Sequence, residues 1–410
     1  MKVLFLTPQL PYPANSGGRI KSFKMIEYLG QNYDLDLGYL VKKDQVSIVS
    51  EFMGKVKISK SFSRIVDRPR SFKNFCMSLL KNIPLSVYRN YDSEFKTKIS
   101  KEIYQYDAVV VDHFLMFQYV PKDFKGRIIL HQHNAEHVMW DRFSKINNNI
   151  LKKIVLKFES IRIKNYEAKI CNKSSVVLAS PNDIEVLSKI SCDGKFCETY
   201  HLGDDRLLQF YHPGFHSADD QITYIGSLDW QANEDGLIWF IENCWQEIHF
   251  AKSKSTLKII GKGASEKLRN CCNRYENIEL LGFVDSLEDE LSKTKVLIAP
   301  IRFGSGMKVK SVNSLYTGIP LVSTTVGAEG IAIVDGEHYC LADTPKDQIS
   351  SVIKLLSDKD YWDHIGGEAR ELSKKKYTWK KNLENIKEVI DGGNQICEHP
   401  VQGTREKIAA

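Results

Sequence analysis

The sequence predicts an α/β protein built on two doubly wound parallel sheets. The chain has 410 residues, more than a single hydrophobic core usually supports. Short apolar runs of the buried-strand type alternate with helical stretches, and the alternation starts again in the second half of the chain. Strands and helices that alternate in this way favour parallel sheets covered by helices on both faces.

The first half contains five apolar runs of strand length, at 2–6, 35–39, 108–112, 128–131 and 175–179. Helices are expected between these strands. Residues 22–29 keep apolar side chains at helical spacing. Residues 146–170 form a long, amphipathic and lysine-rich stretch that predicts one helix.

The second half repeats the pattern, with runs at 222–224, 257–260, 278–281, 296–300 and 320–323 and a helical stretch at 235–247. The polar segment 203–220, which contains Pro213 and Gly214, is the expected link between the halves. We therefore predict a first domain over 1–205 and a second over 206–376. A helix at 377–391 and a polar tail at 392–410 follow.

The composition is that of an ordinary globular protein, with 42% hydrophobic and 26% charged residues. The first apolar run is cut short by Pro8, so neither a signal peptide nor a membrane span is expected there. Nine cysteines form an odd number without a Cys-x-x-Cys pair, which suits a reducing compartment. These features predict a cytoplasmic protein.

Residues 300–331 carry the clearest functional signal. A glycine loop, Gly304-Ser305-Gly306, follows an apolar strand, and Lys308 and Lys310 come directly after it. Glycines let the backbone approach a ligand, a helix N-terminus offers free N–H groups, and the lysines add full charges. This order predicts an anion site of the kind that holds a diphosphate.

The same segment resembles the donor-binding segment of glycosyltransferase family 4, retaining enzymes of the GT-B fold. Gly-Ser-Gly, a basic pair, a Glu-Ala-Leu-Ala-type helix, Gly-x-Pro and Ser-Thr-x-x-Gly-Ala-Glu-Gly recur there in this order. The resemblance implies two Rossmann-like domains facing a deep cleft. The domain 1–205 would lie on the acceptor side, the domain 206–376 would bind the nucleotide sugar, and the helix 377–391 would cross back to the first domain.

Asn313 departs from the family pattern. Most members carry a glutamate there that holds the ribose hydroxyls, and many have a second glutamate where this chain has Ser305. Asparagine loses the charge-assisted hydrogen bonds of a carboxylate, a difference of ~1 kcal/mol or more. Asn313 is still expected to contact the donor. A non-catalytic relative that binds a nucleotide or a partner protein is the alternative that this position leaves open.

Two loops of the first half are further candidates, because ligands of open parallel sheets lie beyond the carboxyl ends of the strands. Gly17 and Gly18 resemble the family's amino-terminal glycine loop, although adjacent glycines at a helix start can also be plain turn chemistry. The segment 131–137 resembles His-Asn-x-Glu, which implies that His133 lies over the sugar ring. Its three histidines also leave a zinc site or satisfied structural histidines open. His113 is a lesser candidate.

Three loops of the second half complete the predicted pocket. Residues 226–233 resemble Gly-Ser-Leu-x-Trp-x-x-Asn, which implies donor contacts by Gly226 and Asn233, whereas Asp229 and Trp230 can equally cap and pack a helix. Gly282, Phe283 and Val284 resemble the segment that brackets the base, with a buried strand end as the alternative. The 261–263 loop lacks the third glycine of a dinucleotide fingerprint, which disfavours a nicotinamide cofactor.

The resemblance implies a retaining transfer from a nucleoside-diphosphate sugar, most often a UDP- or GDP-sugar, to a glycan or lipid-linked acceptor. Surface polysaccharide or glycolipid assembly is the expected context. Lys310 and Lys308 would take the charge of the departing phosphate. No Asp-x-Asp stands at a matching strand end, so we expect neither a metal ion nor another cofactor.

The charge of the chain is unevenly placed. Its formal net charge is +6, and residues 55–81 hold eight basic residues against one acidic residue, with aromatic and aliphatic side chains between them. This stretch predicts contact with an anionic membrane surface, or a path that guides a lipid-diphosphate acceptor toward the cleft, with a solvated basic face as the alternative. Nucleic acid is not expected, because no recognition motif accompanies the charge.

Overall fold

The computed structural model describes residues 1–14, 17–146, 149–304 and 306–393. The predicted donor-binding residue Ser305 lies outside the described residues. So do positions 394–410 of the predicted tail.

The described strands form two sheets in which every pairing is parallel. The first sheet contains β1 (Lys2–Thr7), β2 (Asp34–Val41), β3 (Lys60–Ile65), β4 (Ala108–Asp112), β5 (Arg127–His131), β6 (Val176–Ala179) and β7 (Phe196–Glu198). The second contains β8 (Gln221–Ile225), β9 (Thr256–Ile260), β10 (Ile278–Gly282), β11 (Thr294–Ala299), β12 (Leu321–Ser323) and β13 (Cys340–Leu341).

Helices cover both sheets. In the first half they are α1 (Gly17–Asn32), α2 (Val49–Met53), α3 (Phe72–Leu80), α4 (Leu85–Arg89), α5 (Ser93–Glu102), α6 (Glu136–Ile146), α7 (Ile150–Lys173) and α8 (Pro181–Ser188). In the second half they are α9 (Gln231–Phe240), α10 (Gln246–Ala251), α11 (Glu266–Cys272), α12 (Leu287–Lys293), α13 (Val309–Thr317), α14 (Pro345–Ser357), α15 (Lys359–Lys376) and α16 (Trp379–Asp391). A π-helical segment, Ile241–Trp245, joins α9 to α10.

The strand orders are β3-β2-β1-β4-β5-β6-β7 and β10-β9-β8-β11-β12-β13. Both sheets are therefore doubly wound, and the predicted α/β class is confirmed. The order reverses between β1 and β4 in the first sheet and between β8 and β11 in the second. Such switch points open a crevice beyond the carboxyl ends of the strands, and this is where the site loops begin.

Three strands were not predicted. Lys60–Ile65 is an edge strand in which only Phe62 is fully buried, so it shows no apolar run. The strands β7 and β13 have three and two residues, too short for a periodic signal.

The helix predicted over 146–170 is confirmed as α7, but it begins four residues later than predicted and ends at Lys173. The structure has α6 ending at Ile146 and α7 beginning at Ile150. The side chain of Asn149 accepts a hydrogen bond from the backbone N–H of Lys152 at 3.0 Å and so caps the new helix. The helix start at Asn149 could not be recognised from the sequence, because apolar residues continue at helical spacing on both sides of it.

The last described helix packs against the first sheet and its helices. Arg127 donates to the carbonyl of Val389 at 2.9 Å, and Tyr33 donates to the Asp391 carboxylate at 2.6 Å. The Asn382 side chain accepts from the backbone N–H of Tyr200 at 3.0 Å. The domain boundaries themselves stay a prediction.

No helix among the described residues is both long enough and apolar enough to cross a bilayer. The eight cysteines in the described ranges are all free thiols, and six of them are buried.

Candidate functional site

Loops from both sheets meet at the switch points. A Cβ atom placed on Gly17, at the start of α1, would lie 3.3 Å from Cγ2 of Val309 in α13. One on Gly306, whose φ is +77°, would lie 2.5 Å from Oδ1 of Asn134. The amino-terminal glycine loop and the loop after β5 thus lie against the glycine loop before α13. The structure brings these predicted residues together from sequence positions about 170 to 290 apart.

Lys310 is fixed by two hydrogen bonds. Its ammonium donates to the Tyr224 hydroxyl at 2.5 Å and to Oδ1 of Asn233 at 2.6 Å, and it lies 4.4 Å from the centroid of the Tyr224 ring. The Asn233 amide in turn donates to the carbonyl of Ser227 at 2.6 Å, which sets its oxygen toward the lysine. The charge of Lys310 is therefore held in one place before any ligand arrives.

Gly226 leaves the space that this ammonium occupies. A Cβ there would come within 3.0 Å of both Nζ of Lys310 and Oη of Tyr224. Those distances are shorter than an ordinary van der Waals contact, so a larger residue would displace the lysine. The space beside Gly226 is therefore occupied by Lys310. The family resemblance implied that this space would be left for the donor phosphates.

Burial lowers the pKa of Lys310 well below its usual range, and the nearby charge of Lys308 adds to the effect. Burial also lowers the pKa of Lys308, although Glu329 partly opposes it. Each desolvated ammonium would be stabilised by an anion bound beside it. A bound diphosphate would raise both pKa values again.

Lys308 is turned toward its own loop. Its ammonium donates to the carbonyl of Gly306 at 2.5 Å and lies 3.7 Å from Oε2 of Glu329. Arg142, from the first half, bonds the carbonyl of Gly304 and lies 3.4 Å from Oε1 of Glu329. The glycine loop is therefore held from both sides, and Lys308 is almost fully buried.

The first-half side of the site is organised by Asp112, at the carboxyl end of β4. Its Oδ1 accepts from Nδ1 of His131 at 2.7 Å and from Nε2 of His133 at 2.8 Å. Its Oδ2 accepts from Thr7 at 2.9 Å and from Ser22 at 2.7 Å. Four donors therefore surround one buried carboxylate.

Burial alone would raise the pKa of Asp112, but the two histidines outweigh it and hold the pKa well below its usual range. Asp112 is thus a carboxylate throughout the physiological range. Burial lowers the pKa of His131 to about 3, so that ring is neutral.

His133 faces the amino-terminal loop. Its Nε2 is engaged by Asp112, and a Cβ on Gly18 would lie 3.0 Å from its Nδ1. The other ring nitrogen, Nδ1, therefore lies toward the start of α1. The ring of His113 lies 5.2 Å away, measured between ring centroids.

A buried lysine lies beneath this cluster. Lys21 is fully buried, and its ammonium has no hydrogen-bond partner among the described residues. Burial lowers its pKa to about 7, against the attraction of Asp112 and Asp183.

Three side chains of this cluster could together hold a metal ion: Asp112, His131 and His133. One possible ligand atom from each lies within 4.8 Å of the other two. The zinc interpretation from the sequence would have used His137 as well. The structure instead places Nδ1 of His137 2.6 Å from Oε2 of Glu167. Since Asp112 already accepts four hydrogen bonds, its charge is compensated by the protein itself.

Asn313 bonds the segment between the two sheets. Its Oδ1 accepts from the backbone N–H of Asp204 at 3.1 Å, and a Cβ on Gly203 would fall 1.7 Å from the same oxygen. Asn313 also lines a small cavity with Lys310, Ile225 and Leu287. It therefore stands between the linker and the lysine.

The predicted base-binding segment lies at the end of β10, beside β9. Gly282 accepts from the backbone N–H of Gly261 at 2.7 Å. Phe283 is 67% exposed, and the ammonium of Lys262 lies 4.2 Å from its ring centroid. Phe283 and Val284 lie at the same end of the sheet as Gly226, apart from the glycine loop.

Sequence reasoning missed several groups that shape the site. Asp112, Tyr224, Arg142 and Lys21 were not singled out. Asp112 and Tyr224 carried a usable signal, because each is a polar-capable residue at the carboxyl end of an apolar strand at a switch point. Arg142 and Lys21 lie within helices and had none.

Two parallel α/β halves with site loops from both sides form the architecture of the GT-B fold. Residues 219–358 match the family model described as glycosyl transferases group 1. The matched segment spans the second sheet from β8 to β13 together with α9–α14. The finer prediction, family 4, is consistent with this match and stays a prediction.

Solved structures show the same fold over 95% of the chain. A sucrose-phosphate synthase from Thermosynechococcus elongatus matches with a TM-score of 0.67 at 13% identity, covering 95% of this chain and 98% of that chain. HepE of Anabaena, in a complex with UDP and glucose, matches with a TM-score of 0.63 at 13% identity, covering 95% and 99%. WaaG, a glycosyltransferase involved in lipopolysaccharide biosynthesis, matches with a TM-score of 0.63 at 11% identity, covering 95% and 100%.

One curated protein is similar along most of its length. An uncharacterized 44.6 kDa protein in the cps region of Klebsiella pneumoniae is 24% identical over 356 residues, which cover 83% of this chain and 87% of that protein.

Proposed function

We propose that this glycosyltransferase transfers a sugar, with retention of anomeric configuration and without a metal ion, from a UDP- or GDP-sugar to a glycan or lipid-linked acceptor. One observation carries the proposal. The ammonium of Lys310 is held by Tyr224 and Asn233 at the start of α13. A cation fixed at a helix N-terminus is suited to a diphosphate leaving group.

The chemistry follows from that position. As the bond between the anomeric carbon and the diphosphate oxygen breaks, negative charge grows on the leaving oxygen. Lys310 and the free N–H groups in the first turn of α13 would stabilise it, and such preorganised donors are each worth about 100-fold or more in rate. They would supply the charge that a metal ion supplies in other transferases.

The acceptor would be deprotonated by the leaving phosphate itself. The acceptor oxygen bonds to the anomeric carbon on the face from which the diphosphate departs, and its proton passes to the departing oxygen. Asp112 is unsuited to the role of general base, because four donors already occupy its oxygens. Its role is to orient His133, whose Nδ1 would form a hydrogen bond with a sugar hydroxyl.

The biological context is inferred from the similar proteins. One solved structure with this fold contains UDP and glucose, another protein is described as involved in lipopolysaccharide biosynthesis, and the curated relative lies in a cps region. These names support surface polysaccharide or glycolipid assembly. We place the reaction in the cytoplasm, at the inner face of the plasma membrane.

Chelation is expected to leave the activity unchanged. Transfer measured after treatment with EDTA should equal transfer in buffer with added magnesium, because lysine and backbone N–H groups take the leaving-group charge. The zinc content of the purified protein should also be far below one ion per chain. Activity abolished by EDTA and restored by zinc would instead assign the Asp112 and His133 cluster to a metal.

Replacement of Asn313 by glutamate is expected to keep or tighten donor binding. The carboxylate can still accept from the Asp204 N–H and adds a charge-assisted acceptor for a ribose hydroxyl, worth ~1 kcal/mol. Isothermal titration with UDP and GDP measures the effect. Asn313→Ala is the matched control and should weaken binding; if both variants bind like wild type, Asn313 has no part in the donor site.

A non-catalytic GT-B relative would bind the same nucleotide without turnover. Hydrolysis of the donor in the absence of acceptor separates the two functions. Slow release of free sugar from a UDP- or GDP-sugar supports the enzyme. Tight binding with no hydrolysis and no transfer to any acceptor favours the binding protein.

A further inference from the structure

We propose that the pocket between α4 and the facing sides of α6 and α7 binds the acceptor, and that this acceptor is a sugar joined through phosphate to a lipid. The inference rests on the proposed function and names its acceptor class. Three features carry it: a strained histidine at the inner end, two unpaired arginines on the wall, and exposed apolar helices at the outer end.

The inner end of the pocket lies beside the reacting centre. His113 lines the pocket, and its ring centroid is 5.2 Å from that of His133. Its backbone φ is +79°, a conformation that is strained for a residue other than glycine. Its Nδ1 is buried without a partner among the described residues, and Nε2 lies 3.5 Å from the nearly buried Glu136. Strain and an unused polar atom at this position favour a ligand contact.

Two arginines stand on the wall of the same pocket. Arg89 donates from Nε to the carbonyl of Arg68 at 2.6 Å, and the Arg70 guanidinium lies 5.9 Å from the Trp140 ring centroid. Within the described ranges, neither forms an ion pair with a carboxylate. Burial and the neighbouring Arg70 lower the pKa of Arg89, against a longer-range attraction from Asp67.

This arrangement contrasts with Arg64, in the same basic stretch, which pairs with Glu94. Two guanidinium groups that remain close together without a counter-ion form an anion site. Their planar donors match phosphate oxygens.

The outer end of the pocket opens onto apolar side chains. Phe143, at the rim, is 52% exposed. Beyond it, α7 exposes a set of large apolar side chains, here called the apolar face: Ile150, Leu151, Ile154, Val155, Phe158 and Ile161. Ile150 and Leu151 are 74% and 75% exposed, whereas Leu156 on the same helix turns into the pocket. A patch of this kind marks an interaction surface.

Charge and a neighbouring helix identify lipid as the partner of the apolar face. Arg162 of α7 donates to the carbonyl of Ser78 in α3 at 2.9 Å, so the two helices are adjacent. The helix α3 adds Phe72 and Leu80, which are 83% and 80% exposed. Exposed lysines flank these apolar residues, namely Lys73, Lys81, Lys152 and Lys153. Apolar side chains bordered by lysines suit an anionic lipid surface.

The pocket therefore changes from polar to cationic to apolar along its length. A lipid-linked acceptor has the same order, with a sugar hydroxyl at one end, phosphate in the middle and a hydrocarbon chain at the other. The hydroxyl would reach His113 and the cleft, the phosphate would lie between Arg70 and Arg89, and the chain would run over the apolar face.

Titration with farnesyl diphosphate tests the pocket. We expect saturable binding that Arg70→Gln and Arg89→Gln each weaken about tenfold or more, since each removes charge-assisted hydrogen bonds. Arg64→Gln is the matched control and should bind like wild type. Farnesol and inorganic diphosphate, titrated alone, should each bind at least about tenfold more weakly than the joined molecule.

The arms of the experiment distinguish its outcomes. Equal binding of inorganic diphosphate would show a simple anion site, and equal binding of farnesol would show an apolar site; either overturns the inference. UDP affinity is measured on every variant and should stay at the wild-type value. Lost UDP binding in the wild type would contradict the proposed function instead, independently of the pocket.

Vesicle flotation provides a second measurement on the apolar face. Vesicles containing phosphatidylglycerol should carry the protein upward, and vesicles of phosphatidylcholine alone should carry less. Leu151→Ser with Ile154→Ser should reduce flotation while UDP binding is retained. If this pair of substitutions leaves flotation unchanged, the apolar face does not contact lipid.

Discussion

Lys310→Ala is expected to lower kcat/KM about 100-fold or more and to weaken UDP binding. The substitution removes the one charge that Tyr224 and Asn233 hold at the start of α13. Because this charge is fixed before the reaction, it stabilises the developing phosphate charge without reorganisation. Steady-state transfer and isothermal titration with UDP measure the two effects. Lys293→Ala, at an exposed lysine of the same half, is the control and should be neutral.

The pH dependence of donor binding gives a separate test of Lys310. Its pKa in the free protein is lowered by burial, so the ammonium loses its proton at a lower pH than an ordinary lysine. UDP affinity should therefore fall as pH rises through that lowered pKa. Lys310→Arg stays charged and should remove this loss. Affinity that does not change between pH 6 and 10 in wild type and both variants would contradict the assigned role.

Asp112→Asn is expected to reduce transfer about 100-fold and to destabilise the fold by about 2–4 kcal/mol. An amide cannot accept from both histidines and from Thr7 and Ser22 as the carboxylate does. His133 would then lose its fixed orientation. Transfer assays and urea unfolding measure the two effects. Glu185→Gln, at an exposed ion pair on α8, is the control.

The sign of the pH effect on Asp112 follows from its lowered pKa. Its stabilisation is fully present above the ordinary value of 3.8 and is lost as pH falls through the lower folded-state value. The difference in unfolding free energy between wild type and Asp112→Asn should therefore be constant near neutral pH and shrink in acid. If Asp112→Asn unfolds like wild type at pH 7 but loses activity, Asp112 does not stabilise the fold and acts only by orienting His133.

The fold was predictable because its central strands are buried on both faces. The runs 108–111 and 128–130 are apolar throughout, which is typical of a parallel strand covered on both faces. The edge strand Lys60–Ile65 has one covered side chain, so its sequence resembles a loop. Short glycine-rich loops after the strands could be placed for the same reason, since parallel strands align their carboxyl ends.

The partners within the site could not be predicted. Asp112 meets Thr7 and Ser22 across 105 and 90 positions of sequence, and no local pattern relates them. Lys310 was predicted to bind an anion because it follows a glycine loop at a helix start. Tyr224, which accepts its hydrogen bond, has the sequence context of an ordinary strand residue. The bond from Asn313 to the linker depends on how the two halves are oriented, which the periodicity of the sequence does not encode.

The path of α16 has a consequence for biosynthesis. This helix packs against the first half but is synthesised long after it, and its contacts with Arg127, Tyr33 and Tyr200 join segments separated by about 180 to 360 positions. The amino-terminal half therefore leaves the ribosome with one flank uncovered until α16 has been synthesised. Premature termination before Trp379 would leave a nascent polypeptide with an open flank for chaperones to shield.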